Sequence, residues 1–107
     1  MKKIEAIIRK EKLERVKMLL ATLGYNGLTL ADVSGIGIQQ KSSSREPQME
    51  LPKMKIELVV NDEDVSQVLS AIVRGAKTGK TGDGNIFIIP IENMIRVRTG
   101  DSGINAI

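Results

Sequence analysis

Polar and apolar positions alternate over Lys3, Ile4, Glu5 and Ala6 and then turn wholly apolar at Ile7 and Ile8. A largely buried strand has this pattern. Leu13, Val16, Leu19, Leu20 and Leu23 follow at helical spacing and mark one face of a helix. Gly24 is placed to end it in the left-handed conformation. Asn26-Gly27 predicts a turn, and Leu28, Leu30 and Val33 resume extended structure. The second half repeats this plan. Residues 54–60 put Ile56, Leu58 and Val60 on one face of a strand. Asn61-Asp62-Glu63-Asp64 offers an N-cap and an acidic first turn suited to the helix dipole. Val65, Val68, Leu69, Ile72, Val73 and Ala76 form a helical stripe, and a glycine-rich stretch leads to a strand over 86–91 and a further short strand over 95–98.

The halves superpose at an offset of 52 residues: Ile4, Ala6 and Ile8 match Ile56, Leu58 and Val60, while Leu13, Val16 and Leu20 match Val65, Val68 and Ile72. Two β-α-β units in tandem predict an α+β fold, a ferredoxin-like double β-α-β sandwich in one domain over 1–107. Both helices then cover one sheet face, and self-association would bury the other. Between the halves, residues 39–52 (QQKSSSREPQMELP) are polar, serine-rich and without period, so a mobile functional loop is expected at about 37–53.

Composition narrows the chemistry. The chain has 107 residues, 41% of them hydrophobic, yet Tyr25 and Phe87 are its only aromatics, so the core is aliphatic. A small aliphatic domain without cross-links gains stability by burying apolar surface against copies of itself. Cysteine and histidine are absent, which excludes disulfides, thiolate nucleophiles, Ser-His-Asp triads and zinc sites. Any metal would be a hard cation held by oxygens. The net charge of +3 comes from basic residues interleaved with acids, as in RKEKLERVK, the pattern of a solvated helix face. With almost no aromatic stacking platform, nucleic acid is not an expected partner. The N-terminal charges lie too close to a short apolar run for a signal peptide, and no run reaches the ~18–20 residues of a membrane span. A cytoplasmic location without membrane insertion is expected.

Three features carry candidate chemistry. Thr78 to Asn85 reads TGKTGDGN, with glycines that allow backbone amides to approach an anion and with Lys77 and Lys80 beside them. It lacks the Gly-Lys-Ser/Thr of a Walker A loop opening a helix, and a plain turn also fits. Arg96 and Arg98 lie on one face if the segment is extended, where they can clamp a phosphate or simply protect a strand edge. Gly35-Ile36-Gly37 closes the strand that begins near Thr29. Glu57 is the carboxylate that a small enzyme of this fold would offer as general base, an alternative function alongside a nucleic-acid module. Asp62, Glu63 and Asp64 suit a helix start better than a metal cluster. Ser42, Ser43 and Ser44 offer hydroxyls for phosphorylation, though serine is also common in polar loops. Met54 is expected to pack within its strand, and Met49 lies at the loop base.

Thr29, GIG, LPKMKIELVV, TGKTGDG, IRVRTG and the terminal Ala106-Ile107, taken in order, closely resemble the nitrogen-regulatory PII signal protein family from the opening MKKIEAII to the last residue. The resemblance implies a homotrimer of ferredoxin-like subunits that is a regulator and not an enzyme, with ATP or ADP bound in each cleft between neighbours. Thr29, Gly35, Ile36 and Gly37 would line the base and sugar from one subunit, with Ile38, Glu57 and Lys80 also in the nucleotide site. Gly82, Asp83 and Gly84 would wrap the phosphates, joined by Arg96 and Arg98 from across the interface, with Asn85 at the position that faces the distal phosphates. Gln39 and Lys53 match residues that in relatives contact magnesium and 2-oxoglutarate, so Mg2+ with ATP, held by Gln39, is part of the implication. The loop would engage a target protein, a membrane transporter or a metabolic enzyme. The chain departs from the family pattern at Asn85, where a lysine is usual, and at Ile38, where an arginine is common. Its loop is shorter than is typical and lacks the tyrosine that many relatives have uridylylated, since Tyr25 lies elsewhere. With fewer cations for the distal phosphate, ADP is expected to bind at least as well as ATP.

Overall fold

The alternation at the start of the chain becomes strand β1 (Lys2–Arg9), whose Ile4, Ala6 and Ile8 all point into the core. The computed structural model describes residues 1–36 and 50–107. Helix α1 (Leu13–Thr22), strand β2 (Thr29–Gly35), strand β3 (Leu51–Val60), helix α2 (Val65–Ala76) and strand β4 (Gly84–Pro90) follow in order. The sheet order is β2-β3-β1-β4, antiparallel throughout. The expected ferredoxin-like α+β architecture is therefore what forms. β1 and β3 are central, and their register sets Ile4 opposite Leu58, Ala6 opposite Ile56 and Ile8 opposite Met54. These residues meet Val16 and Leu20 of α1 and Val68 and Ile72 of α2 in one aliphatic core. Met54 packs there as its strand position requires. No helix among the described residues is long and apolar enough to cross a membrane.

The internal repeat extends further than the apolar positions alone. Each helix is entered through a single 3-10 turn, Lys10–Lys12 before α1 and Asp62–Asp64 before α2. The helices approach closely where Gly75 meets Val16: a Cβ on Gly75 would lie 2.8 Å from Val16 Cγ2. α1 ends as its Gly24 suggests, with Gly24 N–H donating to Ala21 O (2.9 Å) and Tyr25 N–H to Leu20 O (3.0 Å), the paired bonds of a Schellman motif.

Several boundaries differ from the sequence pattern. The turn after α1 falls at Leu23 and Gly24, and residues 25–28 are irregular, so Leu28 precedes β2 instead of joining it. β3 begins at Leu51, not 54, because Leu51, Pro52 and Lys53 pair with Gly35, Ser34 and Val33. Asn61 supplies no side-chain cap to the turn that follows it. Its main-chain carbonyl instead accepts from Asp64 N–H at 3.0 Å. The expected strand over 95–98 is absent. Ile95 makes one isolated bridge to Ser102, and the chain between them turns, with Gly100 N–H donating to Arg96 O at 2.8 Å. Thr99 and Asp101 close that turn through a hydroxyl–carboxylate bond of 2.9 Å.

The sheet face away from the helices is half charged. Glu5 and Glu57 stand directly opposite each other, which is unfavourable for two like charges. Lys3 and Lys55 relieve this: Lys3 Nζ is 2.7 Å from Glu57, and Lys55 Nζ is 3.3 Å from Glu57 and 3.7 Å from Glu5. On β4 the same face carries Phe87 and Ile89, 47% and 37% exposed.

Tyr25 ties the end of α1 to the start of α2 by donating its hydroxyl to Asp64. Burial of the phenol, reinforced by this bond, pushes its pKa up to about 12. A raised folded-state pKa favours folding while the group is neutral, so this contribution is present below the ordinary tyrosine value of about 10 and is lost as pH climbs through 12. Because Tyr25 is the chain's one tyrosine and tryptophan is absent, ultraviolet absorbance reports this group alone. The native protein should ionise near pH 12 and the urea-unfolded protein near 10, and coincident titration curves would refute the tie.

Candidate anion-binding cleft

One end of the sheet gathers the end of β2, the start of β3, the end of β1 and the start of β4. Gly35 faces Leu51, Arg9 faces Lys53, and Gly84 faces Ile8. The glycine-rich segment between α2 and β4 folds over this end. A cavity of about 140 Å³ opens there, lined by Ile7, Gly35, Ile36, Leu51, Lys53, Gly82 and Gly84. Five sequence-predicted site residues thus converge: Gly35, Ile36, Lys53, Gly82 and Gly84.

The segment is shaped by Asp83. Its carboxylate accepts from the Thr78 hydroxyl, from Thr78 N–H (2.9 Å), from Gly79 N–H (2.9 Å) and from Arg9 Nε (3.2 Å). The Thr78 hydroxyl and amide, followed by the Gly79 amide and Arg9, hold this acid far below the usual carboxylate range. Lys80 N–H donates to Thr78 Oγ1 at 3.2 Å, and the Lys80 side chain is exposed. Arg9 Nη2 donates to Thr81 O at 2.7 Å. Lys53 Nζ donates to Gly82 O, and Lys53 is the one charged residue buried among those described. Gly84 admits no side chain: at φ +105° a Cβ would sit 1.7 Å from Ile7 O. Any other residue there would pry β4 from β1.

The remaining predicted residues lie elsewhere. Asn85 is exposed on β4, opposite Ile7. Thr29 and Glu57 are cross-strand partners lining a second cavity of about 170 Å³ with Lys3, Gly27 and Met94. Arg96 lines a third, of about 370 Å³, with Tyr25, Asn26, Met94, Ala106 and Ile107. These two cavities share Gly27, Val59 and Met94. Thr29 therefore sits toward Arg96 and not with Gly35, because six residues of extended chain separate the ends of β2 by roughly 20 Å. Arg96 and Arg98 do not share a strand face. Arg96 Nη2 donates to Ala106 O at 2.9 Å, while Arg98 is exposed on the turn. Gly37, Ile38 and Gln39, with the loop to residue 49, lie outside the described residues.

Arg9 escaped the sequence pattern. It follows Ile7 and Ile8 like any cation closing a strand, and only the β1–β3 register reveals that it stands beside Lys53. As chemistry, the cleft presents glycine backbone, the aliphatic side chains of Ile7, Ile36 and Leu51, and the buried Lys53. Asp83 is committed to four donors, so it is not a free cation ligand. The cavity fits a phosphate-sized anion, since sites that enclose a whole small molecule measure about 300 Å³ or more.

Fold and cleft together define a ferredoxin-like protein with a glycine-rich cradle at one end of its sheet. Comparison with known proteins takes this further. The family model described as "Nitrogen regulatory protein P-II" matches residues 1–101. The chain is 48% identical to the "Nitrogen regulatory protein P-II 2" of Methanothermobacter thermautotrophicus, across all of this chain and 97% of that protein. It is 44% and 46% identical to proteins named "Nitrogen regulatory protein P-II" from Nostoc punctiforme and Bradyrhizobium diazoefficiens, over the full length of each. The chain belongs to the nitrogen regulatory protein P-II family.

Asp83→Asn should loosen the cradle, because a neutral amide cannot accept equally from the hydroxyl, two amides and Arg9. Hydrogen exchange at Thr78 and Gly79 should quicken in the variant. In the native protein the same contribution is present above the ordinary aspartate pKa of about 4 and fades as pH falls through the depressed folded value. Unchanged exchange at both amides would show that Asp83 does not hold the loop.

Proposed function

We propose that the protein is a regulator that binds adenine nucleotide, ADP or ATP, in clefts completed between three copies of the chain, and that it acts on a target through the segment between β2 and β3. The observation that carries this is the convergence of Gly35, Ile36, Lys53, Gly82 and Gly84 on one phosphate-sized cavity. By itself that cavity is too small for a nucleotide. The residues that would complete it lie apart from that cavity, Thr29 and Glu57 lining one cavity and Arg96 the one beside it. A head-to-tail ring brings one end of each subunit to the other end of the next, which assembles a full site at every interface. The half-charged open sheet face, with Phe87 and Ile89, supplies surface for such contacts.

A regulatory role fits Glu57 better than an enzymatic one. A general base at neutral pH needs a raised carboxylate pKa. Glu57 is displaced the other way, first by its hydrogen bond from Lys3 and then by that from Lys55. The target would be a transporter or a metabolic enzyme, and the names of the relatives point to nitrogen regulation. Magnesium would enter with ATP through Gln39. A cytoplasmic site of action follows from the nature of the ligand.

Light scattering should give three times the 11.7 kDa subunit mass, and calorimetry should show ADP uptake. A monomer that binds no adenine nucleotide would overturn the proposal. The phosphate site makes a sharper forecast. Asn85 is neutral, exposed and directly follows Gly84 of the cradle, so a γ-phosphate reaching past Gly84 would lack a cation there. ADP should bind at least as tightly as ATP, measured with and without magnesium. Asn85→Lys should improve ATP selectively by about 1.5–3 kcal/mol, one charge-assisted hydrogen bond. A native tenfold preference for ATP, or an unmoved ATP/ADP ratio in the variant, would contradict this account.

A further inference from the structure

We propose that Arg9 is a positioning residue of the cradle, orienting its backbone amides toward a bound phosphate without touching the phosphate itself. This rests on the nucleotide-binding proposal above. From the end of β1 the guanidinium spans the tripeptide Thr81–Asp83, with Nη2 on Thr81 O at 2.7 Å and Nε on Asp83 Oδ1 at 3.2 Å. It lies directly against Gly82, where a Cβ would come within 3.1 Å of Nη2. That side of the loop is therefore closed, and an anion must approach from the other.

The peptide geometry supplies the rest. A trans peptide holds its C=O and N–H antiparallel. Drawing Thr81 O to Arg9 turns the Gly82 N–H away from the arginine. Lys53 acts the same way on the next peptide, since its bond to Gly82 O turns the Asp83 N–H away from the lysine. Gly82, at φ +100°, has the backbone freedom that such consecutive orientation needs. Two cations facing each other across β1 and β3 thus set two successive amides. The charge of Arg9 is largely met by Asp83, so its influence on an anion passes through the backbone. A lysine in its place has a point charge and not a planar fork, and it holds one of the two partners where arginine holds both.

The test is ADP calorimetry on the full chain for the native protein, Arg9→Met, Arg9→Lys and Lys10→Met. Lys10 is the adjacent cation and pairs with Asp32 (2.6 Å), so its loss controls for net charge. Arg9→Met should weaken ADP about tenfold or more, Lys10→Met by less than about twofold, and Arg9→Lys by an intermediate amount. In amide NMR spectra, ADP should shift Gly82 and Asp83 in the native protein and much less in Arg9→Met. Native affinity in Arg9→Met, or equal losses in Arg9→Met and Lys10→Met, would overturn the assignment. If Arg9→Met does not fold, Arg9→Lys decides: weakened ADP at native thermal stability supports positioning, and native affinity refutes it. If the native protein takes up no ADP, the nucleotide proposal fails separately. Pyrophosphate then serves as probe, and unmoved Gly82 and Asp83 amides would refute the cradle as well.

Discussion

The pairing of β1 with β3 is the constraint on which core and cleft both depend. Eight consecutive residue pairs, from Lys2 opposite Val60 to Arg9 opposite Lys53, fix which side chains face the helices. Strand side chains alternate, so a slip of one residue would exchange the faces of the whole strand. Ile4, Ala6 and Ile8 would leave the core and Arg9 would be driven into it. The burial of these aliphatic residues is what makes the slip costly, at about 1.5–3 kcal/mol for each large side chain. The same energy that builds the core therefore places Arg9 and Lys53 side by side under the glycine-rich segment. Functional geometry is here a by-product of hydrophobic register.

That dependence explains what could be read from the sequence. Residues governed by period were legible: the buried alternation of β1 and β3, the stripes of α1 and α2, and the 52-residue repeat that predicts the sheet topology. Residues governed by pairing partners were less so. Pro52 and the polar stretch before it suggest a loop, yet Leu51 to Lys53 pair with β2, and tertiary contact outweighs local composition. The IRVR segment alternates like a strand, but Thr99, Gly100 and Asp101 close a turn within it.

The candidate site shows the same division. The glycines of the cradle stood out as residue types with a physical purpose, and Gly84 has no possible substitute at its place against Ile7 O. The family resemblance groups Thr29 with Gly35 around one ligand, whereas extension along β2 sets them at opposite ends of the strand within one subunit. The Asp83 carboxylate is the internal frame of the loop, which leaves its backbone amide as the group that could meet a phosphate. Sequence spacing identifies which elements carry the polar groups. The distances decide which groups are free for a ligand and which are already used.

The charges at the cleft follow one logic. A loop rich in glycine has little to hold it in one shape, and its conformational entropy must be offset by specific bonds. Here the bonds come from ionised groups, which make the stronger hydrogen bonds. Arg9 and Lys53 fix carbonyls, and Asp83 fixes amides at the other end of the loop. Because one acid stands among these cations, ordering the loop does not leave a large uncompensated charge. The attraction left for an anion would then come chiefly from oriented backbone. An anion site built this way would reward geometry more than net charge, and its affinity would respond to small shifts of the strands that carry Arg9 and Lys53. Lys53 stands three residues into β3, and β3 is the strand that leads out of the 37–49 segment. A ligand or partner that moved the start of β3 would reach Gly82 O through Lys53, and such coupling would run in both directions.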